Sequence, residues 1–358
     1  MPLKIDDLFA PDTSNPKTTA QTGVPRCNDQ EIIAAAVSSK LEDGNIKAAI
    51  RILCSEDKPV PINLDSLNEL NSKHPSQPLD RPITPIETSV TPFQTSEEEV
   101  RKHIHSFPAG SSGGPDGLRP QHLLDLTNCK ETGPELISAI TALVNLLLAG
   151  TCPNEVRSTL FGGTLFALRK KSGGLRPIVI GYFWRRLSSK CANTFALPRV
   201  STYFAHKQVG VGVPGGCEAA VHTVRRFLSS MQEGSVVVKL DFSNAFNSLY
   251  RDRMLSSVSD TLPELLPYCN LAYAETSDLK FGRFSLRSEV GPQQGDPLGP
   301  LLFCLPLQVT LLNLQSPLVL GYLDDLTLGG AAAGVAADVE TIERECREMG
   351  LSLNHAKC

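Results

Sequence analysis

Two adjacent carboxylates near the C-terminal end, Asp324 and Asp325, are the residues of this chain best placed to do chemistry. They lie in Tyr322-Leu323-Asp324-Asp325, between the apolar runs Leu318-Val319-Leu320-Gly321 and Leu326-Thr327-Leu328. Paired acids in such a strand–turn–strand pattern repel each other and lose hydration, and a bound divalent cation would compensate for both. A solvated hairpin turn accounts for them as well, because Asp is common in turns. A third carboxylate, Asp241, ends the β-branched run Val236-Val237-Val238-Lys239-Leu240. Two apolar strands that deliver acids at their ends could bring three carboxylates to one sheet edge. That is the ligand set of two Mg²⁺ ions a few ångströms apart, which drives in-line phosphoryl transfer. One ion would activate an attacking hydroxyl; the other would hold a triphosphate and its leaving pyrophosphate. Asp241 as the N-cap of a following helix is the alternative.

The elements that must position these acids follow from pattern and punctuation. From Val236 onward the order reads strand, helix, helix, strand hairpin, helix. Upstream, Thr164–Ala167 and Pro177–Ile180 read as a hairpin around Arg169-Lys170-Lys171-Ser172-Gly173-Gly174, and Arg185 to Phe195 and Gly215 to Met231 read as helices. Ser96-Glu97-Glu98-Glu99 is a capping box opening a short helix. A second helix runs from about Pro134 to Ala149, with Gly150 as its stop. Asn28 to Cys54 reads as a small helical unit broken at Gly44. Residues 1–25, rich in Pro, Thr, Ser and Asn, read as disordered. Residues 55–95 carry seven prolines and read as an extended linker. The expected division is a 1–95 extension, a 96–235 region and a 236–358 region.

Composition excludes several classes. The ten cysteines are so spaced that no two fall within five residues, which rules out a compact CxxC-type zinc site. The start, Met1–Asp7, lacks a signal-peptide profile, so free thiols in a reducing, intracellular compartment are expected. The longest near-apolar stretches are interrupted by proline and polar residues, so no membrane span is expected. A net charge of −4 argues at first against a nucleic-acid partner, but the distribution reverses this: Arg169 to Arg226 holds eleven Lys or Arg and one acid, Glu218.

Six segments in fixed order resemble one family. They are Ser111-Ser112-Gly113-Gly114-Pro115-Asp116-Gly117-Leu118, Gly173-Gly174-Leu175-Arg176-Pro177-Ile178, Lys239-Leu240-Asp241-Phe242-Ser243-Asn244-Ala245-Phe246, Gly291-Pro292-Gln293-Gln294-Gly295-Asp296-Pro297-Leu298, Tyr322-Leu323-Asp324-Asp325, and Gly350-Leu351-Ser352-Leu353-Asn354 with Lys357. The series resembles the reverse transcriptases of non-LTR retrotransposons and their relatives. Leu323 departs from the alanine or methionine usual at its place, an apolar exchange that leaves both carboxylates. The resemblance implies an α+β fold with the fingers (96–235) and palm (236–358) of a right-hand polymerase, an antiparallel palm sheet and packed helices. It also implies that the chain stops where the family's thumb begins. The implied activity is RNA-directed DNA polymerisation, with an RNA template, a DNA primer, dNTPs and two Mg²⁺ ions that Mn²⁺ can replace. A catalytically silent or truncated nucleic-acid-binding remnant and an RNA-making polymerase with the same palm are the alternatives. Nothing in the sequence sets the oligomeric state.

On this resemblance Asp241, Asp324 and Asp325 are the metal ligands, with the backbone carbonyl of Phe242 adding an oxygen. Phe246 is the aromatic gate against a ribose 2′-hydroxyl. Arg176 and one of the two lysines, Lys170 or Lys171, neutralise the triphosphate. Gln294 and Gly295 lie near the nucleotide, where Gly295 permits close backbone approach and Asp296 reads as a structural N-cap. Arg185, Arg186 and Lys190 are expected to track template phosphates. Lys357 is expected to protonate the departing pyrophosphate.

Overall fold

The computed structural model describes residues 29–42, 44, 46–54, 58–170 and 173–358. The chain divides into two units, Met1–Cys54 and Ser55–Cys358. The first contains α1 (Asp29–Glu42) and α2 (Ile46–Cys54), a helical pair broken at Gly44, whose φ is +69°. Residues 1–25, expected to be disordered, lie outside the described residues.

The second unit opens with β1 (Lys58–Pro59) and α3 (Leu64–Lys73). This corrects the extended linker expected over 55–95. The prolines leave a free window between Pro61 and Pro75, and α3 fills it. Asn63 caps α3, its side chain accepting from Ser66 N at 2.9 Å, and Leu70 is buried. Four helices follow: α4 (Glu97–His105), α5 (Pro120–Thr127), α6 (Gly133–Leu148) and α7 (Asn154–Leu160). The capping box forms at α4: Glu99 N donates to Ser96 Oγ at 3.2 Å, and Ser96 N donates to Glu99 Oε2 at 3.3 Å.

Then come the expected hairpin, β2 (Gly163–Arg169) and β3 (Leu175–Gly181), and helices α8 (Phe183–Phe204) and α9 (Gly216–Ser229). α8 continues nine residues beyond the expected Phe195 and through Pro198. Proline removes one backbone donor, and the buried stripe of Ala192, Ala196, Val200 and Phe204 carries the helix across it. The C-terminal part consists of β4 (Ser235–Leu240), α10 (Arg251–Thr261), α11 (Leu266–Tyr273), the hairpin β5 (Ser277–Phe281) and β6 (Phe284–Ser288), α12 (Gly299–Asn313), the hairpin β7 (Leu318–Tyr322) and β8 (Asp325–Ala331), and α13 (Ala332–Glu348).

Two sheets carry the site. In one, β8 lies between β4 and β7, all antiparallel. In the other, β2 pairs along its length with β3, while its other edge takes β1 at one end and β5, in parallel, at the other. The β5–β6 hairpin was not anticipated from the sequence. It joins the sheet of β2 and β3, so sheet membership does not follow a boundary at residue 235. The main core gathers α4, α6, α8 and α10 to α13 against β4, β7 and β8. α12 is buried nearly all round, from Leu301 through Gln308. Among the described residues, no helix is long and apolar enough to cross a membrane.

Candidate active site

The register of the three-stranded sheet brings the carboxylates together. Leu240 pairs with Leu326, so Asp241 and Asp325, one residue further out, leave the sheet at the same end. Tyr322 pairs with Asp325, which makes Leu323 and Asp324 the two residues of the turn. The exit of β4 is pinned by the C-terminal segment: Asn354 N donates to Asp241 O at 2.8 Å, and Ser243 N to Ser352 O at 2.9 Å.

All three acids line one cleft of about 700 Å³. Burial pushes the Asp324 carboxyl above the usual aspartate range, and the neighbouring charges of Asp325 and Asp241 push it further. Two lysines offset the excess charge. Lys239 Nζ lies 3.0 Å from Asp325 Oδ1, and Lys357 Nζ lies 3.8 Å from Asp241 Oδ1. Among the described residues, no three acid, His or Cys side chains converge on one point closely enough to hold an ion. The donors nevertheless fit a hard divalent cation: they are carboxylate oxygens, and their mutual repulsion is what a cation relieves.

Cations enter the same cleft from elsewhere in the chain. Lys170 and Arg176 flank the β2–β3 turn, where Gly173 and Gly174 take φ of +81° and +76°. Burial lowers the Lys170 pKa, and repulsion from Arg176, Lys357 and Lys73 lowers it further. Lys73, the last residue of α3, also lines the cleft. Lys171 lies outside the described residues.

The floor is built by the loop before α12. Gly295 sits at φ +121°, and a Cβ there would collide with the Val179 carbonyl of β3. Val179 N donates to Gln294 O at 2.7 Å, so this loop is docked onto the β2–β3 hairpin. Phe246 lies in a 3₁₀ turn and stacks on Phe303 of α12, with centroids 4.7 Å apart and planes 14° apart. Behind it, Gly291 (φ +69°) packs so tightly on the Phe246 carbonyl that no side chain fits.

Most of the residues singled out from the sequence meet here: Asp241, Phe242, Asp324, Asp325, Lys170, Arg176, Phe246, Gln294, Gly295 and Lys357 all line the cleft. The three cations expected to track a template do not. Arg185 is corrected outright: it is 1 % exposed and pairs with Asp296, so it cannot meet a phosphate backbone. Its place on the inner face of α8 decides this, a face that the charge of a single residue does not reveal. Arg186 and Lys190 lie outside the cleft, over the Phe107 ring at 5.0 and 4.4 Å. Asp296 is structural, as expected, but not as the cap of α12, which begins after Leu298.

Four contributors went unnoticed in the sequence: Lys73, Asn244, Gln208 and Gln293. Asn244, at φ +51°, donates to the Lys73 carbonyl at 2.9 Å and so ties α3 to the cleft. Lys73 was hidden in the proline-rich stretch. Gln293 lies inside the Gln-Gln-Gly-Asp segment and accepts from Arg185 Nη1 at 2.7 Å.

The chain is also similar to known proteins. The family model described as reverse transcriptase (RNA-dependent DNA polymerase) matches residues 168–358. The retrotransposable element SLACS 132 kDa protein of Trypanosoma brucei gambiense is 31 % identical over 261 residues, covering 70 % of this chain and 21 % of that protein. The chain thus spans about a fifth of the length of that relative. Among solved structures, apo telomerase from Candida tropicalis, truncated from its C-terminal domain, overlaps at a TM-score of 0.44. It is 12 % identical and covers 56 % of this chain and 49 % of its own. With the family match running over more than half its length and through every acid of the cleft, this chain belongs to the reverse transcriptase (RNA-dependent DNA polymerase) family.

Proposed function

We propose that this chain is the RNA-directed DNA polymerase part of a non-LTR-type retroelement protein, adding deoxynucleotides to a primer 3′-hydroxyl. One observation carries the reading: the cleft joins three carboxylates from one sheet end to Lys73, Lys170 and Arg176 from other elements. Acids at one place and cations at another are what a nucleoside triphosphate and its metal require.

In this reading Asp241, Asp324 and Asp325, with the Phe242 carbonyl, would hold divalent cations, of which Mg²⁺ is the physiological choice and Mn²⁺ a substitute. Such ions supply charge neutralisation and lower the pKa of the attacking hydroxyl. The protein's own residues do the rest. Lys170, Arg176 and Lys73, which line the cleft with the acids, bind the triphosphate. Lys357, now beside Asp241, moves to the leaving pyrophosphate and donates a proton there. Phe246 closes the space a 2′-hydroxyl would need. Gln294 and Gly295 present backbone beneath the incoming base pair. The segment 96–235 acts as fingers and 236–358 as palm, with Arg186 and Lys190 meeting template phosphates beyond the cleft.

Primer extension tests this. With an annealed RNA template, dNTPs and Mg²⁺ or Mn²⁺, the chain should extend a DNA primer, and Asp325→Asn should not. Primer–template binding without extension under both metals would overturn the reading in favour of a silent nucleic-acid binder.

A further inference from the structure

Leu323 sits in the turn directly before Asp324 at φ +57°, a left-handed conformation that a branched, non-glycine residue adopts only when something holds it there. The side chain of Gln208 supplies that hold. Its Oε1 accepts from Leu323 N at 2.8 Å, and its Nε2 donates to Leu323 O at 3.1 Å. Both polar groups of one residue's backbone are thus taken by one amide. The amide can face only one way and make both bonds, so its orientation is fixed by its partners.

Gln208 is itself immobilised. It is 0 % exposed, its Oε1 also accepts from Gly210 N at 3.0 Å, and its own N donates to Phe204 O at the end of α8 at 3.0 Å. Val209 N donates to Gly321 O at 2.8 Å, so the segment runs beside β7. Two glycines make room: a Cβ on Gly210 would stand 2.6 Å from Leu323 N, and one on Gly321 would stand 2.9 Å from Gln208 Nε2. Leu323 and Asp324 share a peptide group, and that group carries the carbonyl Gln208 holds. Whatever fixes its plane fixes where the Asp324 N and Cα stand, the base from which its carboxylate reaches the cleft.

We propose that Gln208 is a positioning residue for nucleotide transfer: it clamps the Leu323 peptide so that Asp324 is presented to the cleft. The proposal rests on the polymerase reading of the site. Gln208 does not line the cleft, so it acts through Leu323 and not on substrate. A clamp of this kind sets the rate of transfer and leaves nucleotide and primer–template affinity alone, since the binding cations lie on other elements.

The test compares Gln208→Met, similar in length without either hydrogen bond, and Gln208→Glu, which keeps the acceptor and loses the donor. Each is assayed well below its melting temperature, with folded fraction, kcat, KM for dNTP, primer–template affinity and amide exchange of residues 318–328 measured together. Gln208→Met should lower kcat about 10- to 100-fold, as misplacing a reacting group by about an ångström does. KM and affinity should stay within about twofold, while exchange at Leu323 quickens. Adding Leu323→Gly, which takes the positive φ freely, should restore part of the lost kcat. If Gln208→Met does not fold, Gln208→Glu carries the same expectation in milder form. Undiminished kcat in a folded variant, or losses in kcat, KM and affinity that track the folded fraction, would overturn the clamp alone. A wild-type chain that binds primer–template and adds no nucleotide would overturn the polymerase reading, and the clamp with it.

Discussion

Arg185 on α8 and Asp296 in the loop before α12 form an ion pair with both side chains 1 % exposed. Asp296 Oδ2 accepts from Arg185 Nη2 at 2.9 Å, from Nε at 3.3 Å and from the Tyr273 hydroxyl at 2.6 Å, while Oδ1 accepts from Leu298 N at 2.9 Å. The pair fastens the floor of the cleft to the helix beneath it. Four hydrogen bonds and the Arg185 charge already compensate the Asp296 carboxylate, which marks it as structural.

Breaking this pair leaves an uncompensated buried charge. Arg185→Met or Asp296→Ala should each cost about 3–5 kcal/mol of stability, read by denaturant melts. The pH dependence has a definite sign. Burial alone would raise the Asp296 carboxyl, but Arg185 and the Tyr273 hydroxyl override it and hold the carboxyl below its ordinary value. A carboxyl depressed in the folded state adds stability that is fully present above the unfolded value of about 3.9 and is lost as pH falls through the folded value. The stability gap between wild type and Asp296→Ala should therefore be constant near neutrality and shrink below about pH 4. A gap that widened in acid would contradict the assignment.

Asp324 carries the opposite sign. Its carboxyl is raised first by burial, then by Asp325 and Asp241. Ionising it in the folded state costs stability, a cost absent in acid that appears as pH climbs from the unfolded value through the raised folded value. Asp324→Asn should then melt higher than wild type at neutral pH in the absence of divalent cations, while losing activity. Adding Mg²⁺ should raise the wild-type midpoint more than the variant's. Equal midpoints with and without the cation would show that the acids do not strain one another.

Phe246 is held from both sides, by its stack on Phe303 and by the backbone of Gly291 against its carbonyl. A ring so fixed can act as a steric limit on the sugar. Phe246→Val should lower the preference for dNTP over rNTP, as a ratio of kcat/KM, by at least about tenfold. Unchanged selectivity would make Phe246 a core aromatic.

Lys73 reaches the cleft from a helix that precedes the family match, which begins at residue 168. If it contributes to triphosphate binding, Lys73→Ala should raise KM for dNTP several-fold with kcat and primer–template affinity little changed. An unaltered KM would reduce Lys73 to a wall of the cleft.

That the acids, Phe246 and the glycine loop share one cleft was legible because each motif is contiguous, and strand register then does the assembling. Asp241 and Asp325 are 84 residues apart, yet both stand at the end of an apolar strand, a pattern that made their meeting one of the arrangements to expect. What stayed hidden depends on tertiary choices. Arg185 and Arg186 are neighbours of one residue type; the face of α8 that packs on Asp296 separates the buried from the half-buried, and nothing local to the pair does so. Gln208 gave no signal, since its role lies in two hydrogen bonds to a residue 115 positions away. The β5–β6 hairpin does carry a period-two burial pattern, in Ser277–Phe281, and could have been found. Lys73 was masked by the prolines on either side of α3.

Nucleotide transfer is the role we propose for Asp241, Asp324 and Asp325. Its most direct test is single-turnover addition of one dNTP to a primer on an RNA template. Wild type and the three single Asp→Asn variants would be compared, with primer–template affinity measured on the same samples. Wild type should add the nucleotide, and each variant should lose the addition by at least about a thousandfold while keeping its affinity. A variant that binds and still adds nucleotide near the wild-type rate would remove that carboxylate from the reaction and contradict the account.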